Sequence, residues 1–96
     1  MENFLHVYIK PNSSLTIKDI EAKLNFATDW FRYSSNLFVV YTTYTVDECS
    51  KILLPLANES GLLFICEFNI DKRVGWMPQS FWNWLKSDHK VKEGAS

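Results

Sequence analysis

A β-strand sends alternate residues to opposite faces of its sheet, and two segments of this chain are apolar on both faces. In the first, Leu5, Val7 and Ile9 share one face, while Phe4, His6, Tyr8 and Lys10 share the other. In the second, Leu63 and Ile65 alternate with Phe64, Cys66 and Phe68. A sheet built from such strands has no side it can leave to water, so both sides need a cover. That requirement restricts the available folds more than any other feature of the chain.

The remaining elements follow from spacing. Leu5–Ile9 is a strand stopped by the turn cluster Pro11-Asn12-Ser13-Ser14. Ile17, Ile20, Leu24 and Ala27 recur at helical spacing and predict a helix over Thr16 to Phe26, capped by Thr16 with Asp19 three residues on. Asp29–Tyr33 and Leu37–Thr43 are strands joined through Ser34-Ser35-Asn36 as a β-hairpin. Thr45 followed by Glu48 reads as a capping box, and Val46, Cys49, Ile52, Leu53 and Leu56 form the stripe of a second helix. Pro55, which has no N–H, tightens the last turns of that helix. After Gly61, Leu62–Ile70 returns as a strand.

The final segment, Gly75 to Lys86, opens with a turn and continues as a short helix with Pro78 in its first turn. Met77, Phe81, Trp84 and Leu85 fall on one of its faces and Trp82 points elsewhere.

The order β-α-β-β-α-β predicts an α+β, ferredoxin-like fold: a four-stranded antiparallel sheet with two helices on one face, plus a short C-terminal aromatic helix. A chain of 96 residues has room for one domain. We place it over 1–86, including the C-terminal aromatic segment, with 87–96 as a polar, disordered tail. With Leu5, Val7, Ile9, Leu63 and Ile65 under the helices, the helix-free face carries Phe4, Tyr8, Phe64 and Phe68.

The chain holds four Trp, four Tyr and seven Phe, concentrated in Trp30–Tyr44 and Trp76–Trp84. Three covers for the helix-free face compete. The C-terminal aromatic segment or a second copy of the chain can close it; unpaired bases can stack on it, as on RNA-binding ferredoxin-like domains; or a different protein can dock there. Ten Lys+Arg against eleven Asp+Glu, a net charge of −1, excludes both a strongly basic polyanion binder and an acidic nucleic-acid mimic. Lys10 and Arg32 are among few cations placed for phosphate, and no RNP-type octamer is present. The candidate interaction surface is therefore Phe4, Tyr8, Lys10, Arg32, Phe64, Phe68, Trp76 and Trp82.

Signals for chemistry are sparse. His6 on a strand reads as a packed or hydrogen-bonded residue, and His89 lies in the polar tail. Asp47 suits a helix N-terminus, while Asp29 and Asp71 read as ordinary strand-end residues. Glu67 shares the core face of the last strand and calls for a cationic partner. Ser13, Ser14, Ser34 and Ser35 sit in turns without a G-x-S-x-G context. Walker, Rossmann, H-E-x-x-H and zinc-ligand spacings are absent, so no catalytic residue, metal site or cofactor is assigned. Gly75-Trp76 reads as a turn followed by a large anchoring side chain. Cys49 and Cys66 read as buried free thiols. Met1-Glu2-Asn3-Phe4 lacks the charged start of a secretory signal, and no apolar run is long enough for a membrane span. A cytoplasmic, reducing location is expected.

The run Thr28-Asp29-Trp30-Phe31-Arg32-Tyr33-Ser34-Ser35-Asn36-Leu37-Phe38-Val39-Val40-Tyr41-Thr42 resembles the tryptophan-rich hairpin of small bacterial proteins labelled "SinR family". Ile52-Leu53-Leu54-Pro55-Leu56, Leu62-Leu63-Phe64-Ile65, Gly75-Trp76 and Trp84-Leu85-Lys86 extend the likeness over residues 5 to 87. Such proteins are similar to the CRISPR-associated adaptation nuclease subunit and to the VapD toxins, ferredoxin-like homodimers that include metal-dependent nucleases. The resemblance implies the fold and a homodimer. In those nucleases an aspartate follows the tyrosine ending strand one and binds the metal; here Tyr8 is followed by Ile9 and Lys10. The resemblance therefore does not extend to the metal chemistry.

The sequence thus predicts a non-enzymatic, homodimeric protein-interaction module, with a role in defence, counter-defence or toxin regulation. The alternative is a nucleic-acid-binding protein or a metal-dependent endoribonuclease. No membrane partner is expected.

Overall fold

A computed structural model describes residues 2–71 and 74–87. In chain order the elements are β1 (Asn3–Lys10), α1 (Ile17–Lys23), β2 (Asp29–Ser34), β3 (Leu37–Thr42), α2 (Val46–Leu53), β4 (Leu62–Phe68) and α3 (Gln79–Lys86). The four strands form one antiparallel sheet in the order β2-β3-β1-β4. Each β-α-β crossover skips one strand, which is the ferredoxin-like arrangement. Among the described residues no helix is long and apolar enough to cross a membrane.

Register decides which residues meet the helices. Leu5 pairs with Val40 and Glu67, and Val7 with Phe38 and Ile65, so these residues share one face. Leu5, Val7, Ile9, Phe38 and Val40 pack there against Ile20, Leu24, Cys49 and Leu53, all fully buried. Burying one aliphatic or Phe side chain of this kind contributes about 1.5–3 kcal/mol. This layer is the folding core.

Both helices end early and tighten into 3-10 turns, Leu24–Phe26 after α1 and Leu54–Leu56 after α2. Pro55 sits in the first positions of the second turn, where a missing N–H costs little. The predicted caps form. Glu48 N–H donates to Thr45 Oγ1 at 3.1 Å, and Thr45 N–H donates to Glu48 Oε1 at 2.9 Å. At α1, Thr16 N–H donates to Asp19 Oδ2 at 2.8 Å. Strand ends differ modestly from expectation. β1 gains Asn3, Phe4 and Lys10 because they find partners in Thr42, in Tyr41 and Phe68, and in Leu62. β4 stops at Phe68, opposite Phe4, rather than running to Ile70.

Glu67 is exposed although it shares the core-facing side of β4. It pairs with the buried Leu5 but sits on the edge strand of the sheet, so its carboxylate keeps its water and the cationic partner expected from sequence is not required. His89 and residues 88–96 of the expected tail lie outside the described residues.

The β1–α1 loop is tied to the α2–β4 loop by one side chain. Asn12 is buried. Its Oδ1 accepts the backbone N–H groups of Glu59 and Ser60 at 2.9 Å each and of Gly61 at 3.2 Å. Its Nδ2 donates to the Pro55 carbonyl at 3.3 Å, and its own N–H donates to the Leu56 carbonyl at 2.7 Å. The loops approach so closely that a Cβ on Gly61 would sit 2.0 Å from the Lys10 carbonyl oxygen, which only glycine permits. Asn12→Ala strands these donors beside a gap that Ala does not fill. A loss of about 2–3 kcal/mol is expected, read as a lower urea midpoint with unchanged slope. A loss within measurement error would show that water replaces the amide.

Candidate functional site: the helix-free face of the sheet

The face away from α1 and α2 is laid out in rows by the pairing of the strands. Asp29, Tyr41, Phe4 and Phe68 form one row, and Phe31, Val39, His6 and Cys66 form the next. Leu37, Tyr8 and Phe64 follow, and Lys10 and Leu62 close the sheet. α3 covers the first rows. Trp84 stacks on Phe31 with ring centroids 5.8 Å apart and meets Phe4 edge-on at 6.1 Å. Phe81 meets Phe31 at 6.0 Å and Tyr33 at 5.1 Å, both edge-on, and Leu85 is buried. Such ring pairs add about 0.5–1.5 kcal/mol beyond their burial. The expectation that the C-terminal aromatic segment folds onto this face is met over these rows.

One polar contact fixes the helix. The Trp84 indole Nε1–H donates to Asp29 Oδ2 at 3.0 Å, while Asp29 Oδ1 accepts the Trp30 N–H at 2.9 Å. Asp29 is therefore not an ordinary strand-end residue: it satisfies the one donor that Trp84 would otherwise bury unpaired.

Between the sheet and the segment leading into α3 lies an open, largely apolar pocket of about 370 Å³. His6, Tyr33, Val39, Cys66 and Phe68 line its sheet side, and Val74, Gly75, Met77, Phe81, Trp82 and Leu85 its other side. His6 Nε2 and the Tyr33 hydroxyl share a hydrogen bond. Burial lowers the His6 pKa below its ordinary 6.5 and, with Cys66 nearby, raises that of Tyr33. His6 is thus a packed, hydrogen-bonded histidine. Cys49 is buried in the core, its thiol pushed up to about 11 by burial and by Glu48. Cys66 departs from the buried thiol expected, being half-buried on the pocket wall. Its neighbour Phe64, on the uncovered end, is mostly exposed, with no helix above it among the described residues.

The predicted surface residues divide. Phe4 and Phe68 lie under or beside α3, with Phe4 also 4.8 Å from Tyr41 and 5.8 Å from Phe68. Tyr8, Lys10 and Phe64 share the far end of the same face, where Phe64 is 61% exposed. Trp82 is half-buried and packs edge-on to Phe81 at 5.3 Å. Trp76, expected to anchor the turn, is 99% exposed and packs against nothing among the described residues. Arg32 is on the other side of the sheet. It pairs in register with core residue Phe38, and its guanidinium lies 3.3 Å from Glu21 on α1. Arg32 and Tyr8 therefore cannot act together on one ligand.

The carboxylate that follows the strand-one tyrosine in the nucleases of the resemblance has no counterpart here. The position after Tyr8 is Ile9, fully buried on the opposite face, and Lys10 brings positive charge. Among the described residues no three His, Cys, Asp or Glu side chains gather closely enough to hold an ion. These residues do not fit a divalent cation, which takes oxygen ligands. Comparison with known protein families, curated proteins and solved structures returns no match.

Two measurements check this geometry. Trp84→Phe keeps a ring over Phe31 but removes the indole N–H that Asp29 Oδ2 accepts; a stability loss of about 1 kcal/mol is expected, with greater binding of a hydrophobic dye as α3 loosens. Unchanged stability and dye binding would remove the Trp84–Asp29 contact as the clasp. His6 sets a pH dependence. The unfolded chain titrates near 6.5 and the folded chain lower, so the unfolded state binds more protons between the two values. The His6 contribution is complete above pH 6.5 and is lost as the pH falls through that window. Thermal melts of His6→Gln should lack that part of the acid slope, and an identical slope would refute it.

Proposed function

We propose that the chain is a non-enzymatic protein-interaction module that works as a homodimer through its helix-free face, serving in defence, counter-defence or toxin regulation. The observation carrying this reading is the incomplete cover. Beyond α3, Leu62 and Phe64 remain mostly exposed beside Tyr8, and Val74 and Trp76 stand free in water at the edge of the pocket. Exposed apolar side chains gathered on one face of a small domain point to an interaction site. The resemblance to the small bacterial "SinR family" proteins and to VapD supports the homodimer, since the β-α-β-β-α-β order and the tryptophan-rich hairpin are those that carry it.

A nucleic-acid role draws less support. On the exposed strip Tyr8 and Phe64 offer stacking surface, but Lys10 is the cation beside them, and Arg32 is bonded to Glu21 across the sheet. Phosphate binding depends on several cations acting together.

Light scattering is expected to give about twice the 11.2 kDa chain mass, and Phe64→Glu to shift the protein toward the monomer. A wild-type chain that stays monomeric at high concentration ends the homodimer reading. Salt-sensitive binding of RNA or DNA at low ionic strength would transfer the face to the nucleic-acid alternative.

A further inference from the structure

The geometry points to a reciprocal exchange of Trp76 between two copies of this chain, each indole seated in the other copy's pocket between the sheet and α3. This rests on the homodimer reading above and names the contact that holds it.

Trp76 is 99% exposed, as is Val74. A tryptophan has roughly 150–250 Å² to bury, so a fully solvated one forgoes a large favourable term. Beside it lies a largely apolar pocket of about 370 Å³. An apolar cavity of about 150 Å³ already accepts benzene, so an indole fits with room for its stem. Val39, Cys66, Phe68, Phe81 and Trp82 supply the walls, with rings placed for edge contacts.

The polar floor suits this guest. An indole N–H only donates and needs one acceptor when buried. The Tyr33 oxygen, bonded to His6, retains acceptor capacity. An apolar guest would leave that capacity unused, and among the described residues lining the pocket there is no Lys or Arg to hold an anion.

Symmetry follows from chain order. Gly75 and Met77 line the pocket while Trp76 between them points away from it. The ring and the seat are therefore side by side on one surface. A single two-fold axis passing close to Gly75 brings each Trp76 to the other copy's pocket in the same step, which makes the contact isologous and closed. Two indoles remove roughly 300–500 Å² of their own surface from water, and the pocket walls they cover add to it. Val74, also fully exposed, and the strip of Leu62 and Phe64 add apolar area toward the roughly 1,200–2,000 Å² of a standard specific interface.

The wild-type chain and two substitutions test the exchange. Trp76→Ala alters a fully exposed side chain, so folding is retained, and sedimentation should show dimer affinity weakened at least about 100-fold, as for a central interface tryptophan. A dimer of undiminished affinity overturns the exchange while leaving the homodimer intact; a wild-type chain that runs only at 11.2 kDa overturns both. Cys66→Phe fills the seat while leaving Trp76 in place, and a comparable loss of dimer affinity is expected. A Cys66→Phe chain that folds and dimerises with undiminished affinity overturns the exchange.

Discussion

A sheet whose strands are apolar on both faces needs two covers, and the two that this chain provides are unequal. On one side, α1 and α2 bury Leu5, Val7, Ile9, Phe38 and Val40 completely. On the other, α3 is eight residues long, about 12 Å at 1.5 Å per residue. The eight residues of β1 span about 27 Å as a strand. A helix of that length can shield the rows around Phe4 and Phe31 but cannot reach the row of Tyr8 and Phe64. The exposed strip is a consequence of element length rather than of loose packing.

Two side chains set the geometry around this sheet, and both act by satisfying donors that folding would otherwise strand. Asn12 gathers three backbone N–H groups where the α2–β4 loop passes over the end of β1. Asp29 accepts the Trp84 indole and so fixes where α3 lies across β2. Each is a short acceptor at a place where distant segments meet. Each leaves an apolar layer free to pack without a buried unpaired polar group, which is the costly defect in a small core.

Much of the fold was legible because it is written locally. The change from period two to period 3.6 and back marks β1, α1, the hairpin, α2 and β4, and Thr45 with Glu48 announces a cap from four residues alone. What escaped was non-local. Asp29 looks like a strand terminus until Trp84, far along the chain, is brought beside it. Asn12 looks like one more turn residue because the N–H groups it accepts come from residues 59–61. Arg32 was assigned to the wrong face for a further reason. Alternation separates Trp30 and Arg32 from Phe31 and Tyr33, but both sets carry aromatics. Only the pairing of Arg32 with Phe38 says which set meets the helices, and a one-residue slip would exchange them. The pocket and the exposure of Trp76 had no sequence signal beyond the Gly-Trp step.

The inequality of the covers also separates two tasks. A chain of 96 residues can bury about 60–65% of its unfolded surface, enough for one complete layer and part of a second. The complete layer lies under α1 and α2, where any truncation opens a cavity among fully buried neighbours and acts on folding. The incomplete layer lies under and beyond α3, and at its uncovered edges Phe64, Val74 and Trp76 are already solvated, so changing them alters little that the isolated chain depends on. Completing that layer from outside adds apolar burial without lengthening the chain and without disturbing the first core. A surface of this kind is suited to association: its side chains are free to change with a partner, while the sheet that presents them is held from behind.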